Sequence, residues 1–573
     1  MQSRHVLAPQ LALLGLLSIL AACQRAAEPP PAAKPAVSED ARRAAATVDT
    51  RFLSDRIREI SDDSFEGRAP ATPGDVKARA WLAEQLKTLG FEPGGPDGSW
   101  EQSFDIVGVT SKLPAQWTFR AGGKTLALKY GTQYAGSGGT QEKRASIPKA
   151  ELVFVGYGIQ APEFQWDDYK GADLKGKVLV MLNNDPDWDP ALFAGTTRLW
   201  YGRWDYKYLS AARQGAAAAI IIHTAPSAGY EWQVVQSSWS GVQFSLPATE
   251  GPRVQLRAWV TEDAARALAQ LGGKDLAQLV ESAKSRDFRP VPLGVTTALT
   301  FGQQVERKQT ANVAGLLRGS DPKLAQEVVI YTAHHDHLGI GEPDATGDRI
   351  YNGAIDNGSG MAEILGVAKA FKALPTPPRR SVLALFVAGE EQGTLGSEYY
   401  AAHPTFPPGR IAANLNLDEG NTWGPAADVV FVGKGKSTLD EVIERYATLQ
   451  DRVVKPDQFP ERGYFYRSDQ INFAKLGVPA YYQHFSVDHR GKPPGWGRQQ
   501  VDDFEEHRYH QPSDEFDLTW NLDGMLEDVQ LAFYAGLDVA NADQMPAWKP
   551  GDEFEAARHA ALLQLGDASS APH

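Results

Sequence analysis

Three apolar runs in the second half of the chain each end on a residue that can bind a metal. Residues 326–334 (QEVVIYTAH) are apolar, aromatic and partly β-branched from Val328 to Tyr331, then stop at His334. Residues 381–388 (SVLALFVA) lead into Gly389-Glu390-Glu391, and residues 415–418 repeat the pattern, ending at Asp418. Short apolar runs of this kind read as buried strands. Strands that all deliver polar side chains at their ends predict one α/β sheet with its site along the carboxyl edge. The expected fold is a central mixed, mostly parallel sheet sandwiched by helices.

Two further motifs complete a set. GAIDNGSG, residues 353–360, is rich in small residues, so the backbone can turn sharply and project Asp356 inward. Its two oxygens can bridge two metals about 3.5–4 Å apart. His510 arrives late, in RYHQPSDE, inside a loop bounded by Pro512 and Ser513. Two His and three carboxylates (His334, Asp356, Glu391, Asp418 and His510) make a two-metal donor set, and Glu390 is left free to act as a base. Asp336 follows His334 by two residues, and is expected to accept the second ring N–H of His334 or to brace its surroundings. His335 should point away from the site and His337 lies past the turn, so neither is expected as a ligand. The same holds for His484, His489 and His507, which sit in no matching motif, and Glu419 is expected at the surface.

These motifs resemble the bacterial co-catalytic di-zinc aminopeptidases, the family that also includes glutamate carboxypeptidase, glutaminyl cyclase and the transferrin receptor. That family runs His-x-Asp, Gly-Ala-x-Asp-x-x-Ser-Gly, Glu-Glu, Asp, His. The resemblance covers roughly residues 49–104 and 310–540. It implies that His334 and Asp418 bind one zinc, that Glu391 and His510 bind the other, and that Asp356 bridges them. It further implies a cis peptide before Asn357, and Glu390 as the general base of a bridging-water mechanism that hydrolyses amino-terminal residues from peptides. Zinc is the default for these donors, with cobalt or manganese able to substitute. Many members have Ser-Asp-His where this chain has Ser468-Asp469-Gln470. A nearby Tyr often stabilises the oxyanion. Tyr464 and Tyr466 both precede that place, and Tyr466 is the slightly preferred candidate.

The alternatives are a carboxypeptidase or dipeptidase on the same metals, or a catalytically silent binding protein of the transferrin-receptor sort. The complete ligand set opposes the silent reading. A carboxypeptidase would need an Arg cluster for the terminal carboxylate, and Arg379-Arg380 precedes a strand at its far end.

At the amino terminus, Arg4 precedes an apolar run over residues 6–20 that is too short for a stable membrane span. Leu20-Ala21-Ala22-Cys23 then resembles a bacterial lipoprotein signal box. The expectation is a signal peptide over residues 1–22, export, and lipidation at Cys23, the chain's single Cys. Gln24 after it favours the outer membrane. The Ala- and Pro-rich residues 23–47 read as an extended tether. The formal charge of −14 argues against nucleic-acid or anionic-membrane partners, which leaves peptides as the expected partners.

The peptidase pattern is expected over residues 48–115 and 296–545, with a polar tail over 546–573. Residues 116–295 break it and resemble a protease-associated domain, a small β-rich module that limits access or holds substrate. Two aromatic stretches are candidates to shape the cleft: Trp200-Tyr201-Gly202-Arg203-Trp204, and residues 484–506, read as a loop and suggested as a lid over the second metal.

Overall fold

The computed structural model describes residues 34–190, 192–248 and 251–569. Cys23, the signal segment and the start of the tether lie outside these residues. Two sheets share one very long strand, Val291–Leu317. Its carboxyl half belongs to the larger sheet, which runs in the order Val242–Ser245, Glu101–Ser111, Val291–Leu317, Ser381–Val387, Val328–His334, Ile411–Leu417, Ala480–His484, Asp428–Val432, Val453–Pro456. The central four strands are parallel and the flanks are largely antiparallel. Every residue of Val328–His334, Ser381–Val387 and Ile411–Leu417 is buried. That is why these strands read as unbroken apolar runs: helices cover both faces. One face packs against Gly360–Lys372 and Asp523–Asn541, the other against Tyr400 and Phe473.

The amino half of the long strand enters a second sheet, beside Arg144–Phe154 and Gln116–Ala121. From Arg144–Phe154 this sheet continues in parallel through Val178–Leu182, Ala218–His223 and Leu256–Thr261. It carries the helices Trp204–Arg213, Trp232–Ser238 and Glu262–Leu271, so the inserted module is α/β as much as β. Its strand Val242–Ser245 crosses back to pair with Glu101–Ser111 of the larger sheet. The Phe244 N–H also donates to Gln392 Oε1 at 2.9 Å. The module is therefore joined to the larger sheet by backbone pairing and touches the loop that carries Glu390 and Glu391.

Three segments differ from expectation. The tether gives way to packed structure at Ser38, which caps the helix Glu39–Ala45 and accepts from Ala41 N. Acidic residues open that helix, basic residues close it, and Ala41, Ala44 and Ala45 are buried. Residues 496–506, read as loop, lie in the helix Trp496–His507, because the prolines stop at 494 and only Gly497 falls inside it. Trp496 lines a separate hollow with Thr422, Trp423 and Arg490, so it does not cover the residues expected to bind metal. The carboxyl tail holds the helix Glu555–Ser569, anchored by the buried Arg558, which donates to Ile411 O at 2.9 Å. No helix among the described residues is long and apolar enough to cross a membrane.

Candidate metal centre

Register brings the three strand-end motifs together. His334 lies opposite Val387, and Thr332 opposite Asn416, so His334, Glu390-Glu391 and Asp418 emerge side by side at the carboxyl edge. Asp356 reaches them from the turn before Gly360–Lys372. Gly353 opens this turn at φ +56°, where a Cβ would lie 2.2 Å from the Asp356 carbonyl oxygen. The Asp356–Asn357 peptide is cis. Asn357 then ties the turn to the sheet, donating to Leu417 O at 3.2 Å.

Asp356 divides its two oxygens between two pockets. Its Oδ1 lies 3.1 Å from His334 Nε2, which is also 3.2 Å from Asp418 Oδ1. Its Oδ2 lies 3.3 Å from His510 Nε2, which is 2.8 Å from Glu391 Oε2. His334, Asp356 and Asp418 offer one close donor cluster. The second pocket contains a residue set aside in the sequence. His337 Nδ1 sits 2.6 Å from Glu391 Oε1 and 3.9 Å from Asp356 Oδ2, and forms a donor cluster with both. The signal was the run His334-His335-Asp336-His337 itself; the turn folds back and returns its last imidazole to the site. His335 does point away, and its Nε2 meets Asp75 at 3.1 Å.

Most of these donors are braced; His337 Nε2 is buried without a partner. Asp336 takes the second of its two expected roles: its carboxylate accepts from the Glu390 N–H at 3.1 Å, while His334 Nδ1 meets the Asp336 carbonyl oxygen at 3.2 Å. Ser468 donates to Asp418 Oδ2 at 2.6 Å, and Asp514 accepts from the Asp356 N–H at 3.0 Å. Ser238 of the inserted module meets His510 Nδ1 at 2.9 Å. Arg68 is fully buried and donates to the carbonyls of Ile60, His335, Asn352 and Gly353, clamping the His334 and Asp356 turns together. Contacts of this kind fix the orientation of metal-binding side chains.

The electrostatics favour bound cations. Burial and Asp356 both push Glu391 up, yet His510 and His337 hold it at about 2. Burial pulls His510 down, but Glu391 and Asp356 raise it to about 10. Burial, then the negative charge of Glu391, Asp469 and Asp418, holds the Glu390 carboxyl well above the usual range, against the pull of His334. A buried cluster this acidic draws positive charge onto its imidazoles, and its mixed His and carboxylate donors suit divalent zinc.

Glu390 lines a small cavity of about 30 Å³ with His334, Asp356, Asp418, Tyr464, Tyr482 and Tyr509. Tyr466 is not there. Its hydroxyl donates to Glu553 at 2.8 Å, because the turn Tyr464–Tyr466 directs it towards the carboxyl-terminal segment. Tyr464 is stacked 4.0 Å from His484 and donates to Glu505. Tyr509, missed in the sequence although it precedes His510, stacks on that imidazole at 3.9 Å and accepts from Arg467 at 3.0 Å. Arg380 is held by Glu327 and the Val539 carbonyl, far along the strand from the site. Glu419, expected at the surface, faces the cavity and lies 3.3 Å from His484 Nε2.

Fold and site together define an α/β domain with a candidate two-pocket metal centre. Residues 312–534 match the model of peptidase family M28, a segment that contains all five proposed ligands and Glu390. Among curated proteins, the chain is 25% identical to a probable leucine aminopeptidase 2 of Aspergillus oryzae, over 48% of this chain and 47% of that protein. It is 27% identical to aminopeptidase YwaD of Bacillus subtilis, over 29% of this chain and 34% of that protein. The chain thus spans less than half the length of these relatives. In fold it matches an aminopeptidase from Aneurinibacillus sp. strain AM-1, with a TM-score of 0.53 and 19% identity, covering 89% of this chain and 98% of that one.

Proposed function

We propose that this chain is a zinc-dependent exopeptidase that removes amino-terminal residues from peptides. The observation that carries the reading is the division of Asp356 between the His334–Asp418 pair and the Glu391–His510 pair. A carboxylate so divided suits two cations side by side. His334 and Asp418 would hold one ion, Glu391 and His510 the other, with His337 beside the second. Bound there, the ions supply Lewis acidity to a peptide carbonyl and to the water that attacks it.

The protein's own groups do the rest. Glu390 accepts the water's proton and returns it to the leaving amine. Tyr509, braced by Arg467, offers a hydroxyl to the developing oxyanion. The carboxylates around the cavity favour a substrate that presents a cationic amine, which supports cleavage at the amino terminus.

Zinc-loaded full-length protein is expected to cleave leucyl-p-nitroanilide. It should lose that activity to a chelator, regain it with zinc, and leave the N-acetylated substrate intact. Equal cleavage of the acetylated substrate would contradict the aminopeptidase reading. We also propose export and lipid attachment at Cys23, on the strength of Leu20-Ala21-Ala22-Cys23. Labelled palmitate should mark the wild type and not Cys23→Ser; equal labelling of both removes that site.

A further inference from the structure

A cleft of about 100 Å³ opens beside the second metal pocket, where the inserted module faces the peptidase domain. Glu390, Glu391 and His510 form one end. Arg203 and Arg257 of the module and Arg467 of the peptidase domain line the same space. Three guanidinium groups in one narrow cleft repel one another and lose hydration. Buried cations are ordinarily paired, and unpaired buried donors are rare.

These three are not paired. Nε of Arg203, Nε of Arg257 and Nη1 of Arg467 are each buried without an acceptor. Arg467 spends Nη2 on the Tyr509 hydroxyl, and Arg257 lies 5.5 Å from the centre of the Trp239 ring. Among the described residues, none of the three forms an ion pair with a carboxylate. Neighbouring Arg462 is instead paired with Asp502 and Glu505, both at 2.7 Å. The carboxylates in the cleft, Glu390 and Glu391, stand at its metal end and pair with none of the three arginines.

We propose that Arg203, Arg257 and Arg467 form a subsite for a carboxylate on the substrate, a short distance from the scissile bond. The guanidinium fork matches a carboxylate in two parallel hydrogen bonds, which sets position as well as affinity. The carboxylate has two chemical sources, the free carboxyl terminus of a dipeptide or the side chain of an acidic residue. This inference rests on the peptidase reading above and deepens it. Arg379-Arg380, the pair visible as neighbours in the sequence, has no part in it.

The test uses zinc-loaded full-length protein and two matched substrate pairs. Leucyl-alanine against leucyl-alanine amide probes the carboxyl terminus. Glutamyl-p-nitroanilide against glutaminyl-p-nitroanilide probes the side chain. The charged member of one pair is expected to have a kcat/KM about 10- to 100-fold higher, the scale of charged hydrogen bonds, and the pair that shows it names the source. Arg203→Gln and Arg257→Gln should each abolish most of that preference through KM and leave the neutral partner within about threefold. Arg257→Lys should restore part of it. Calorimetric binding of the same compounds to Glu390→Gln protein should give the same order without turnover. Equal wild-type rates within both pairs would overturn the subsite while leaving the peptidase intact. Absence of hydrolysis on all four substrates and on leucyl-p-nitroanilide, with calorimetry still favouring the charged compound, would sink the peptidase reading and keep the subsite.

Discussion

Ser238 Oγ lies 2.9 Å from Nδ1 of His510, so a residue of the inserted module holds a residue of the second metal pocket in place. With His510 Nε2 turned towards Asp356 and Glu391, the Nδ1–H donates to the Ser238 hydroxyl. Ser238→Ala is expected to weaken zinc affinity about 10- to 100-fold with little change in stability. Competition with a fluorescent chelator measures this; unchanged affinity would reduce Ser238 to a packing residue.

Arg68 binds four main-chain carbonyls from a fully buried position. Arg68→Met leaves those acceptors unsatisfied and frees the turns that carry His334 and Asp356. A loss of about 3–5 kcal/mol in unfolding free energy is expected, read by denaturant titration. A loss below about 1 kcal/mol would show that water replaces the clamp.

Glu390 stands in the cavity wall outside the two donor pairs. Glu390→Gln should lower kcat by about 10²- to 10⁴-fold while zinc content is unchanged. Near wild-type turnover would remove Glu390 from the proton-transfer role.

His484 is buried beneath Tyr464, and burial pulls its pKa from 6.5 down to about 4. The folded protein therefore stabilises the neutral imidazole. That contribution is complete above pH 6.5 and is lost as the pH falls towards about 4, amounting to about 3 kcal/mol. His484→Gln should flatten unfolding free energy over this window; an unchanged slope would assign the acid sensitivity elsewhere.

Much of the fold was legible because its centre is parallel and doubly buried. Such strands print unbroken apolar runs, and each run here ends on a side chain of the candidate metal centre. The residues that close the site were harder to see. His337 and Tyr509 adjoin motif residues, but a turn and a stacked ring decide where they face, and no periodicity reports either. Tyr466 was preferred over Tyr464 on position alone, and one turn of tight helix sends it to Glu553. Arg68 sits in a polar, turn-rich stretch that looks like surface. Arg203, Arg257 and Arg467 are far apart in sequence and meet only where the module faces the peptidase domain. The helix Glu39–Ala45 was hidden by an Ala- and Pro-rich context that favours extension.

The central claim is that Asp356 joins two metal pockets, and metal counting on purified, zinc-equilibrated protein tests it most directly. Two zinc ions per chain are expected in the wild type, with both sites weakened together in Asp356→Ala and one site lost in Asp418→Ala or His510→Ala. A single ion in the wild type, or two ions retained by Asp356→Ala, would contradict the account.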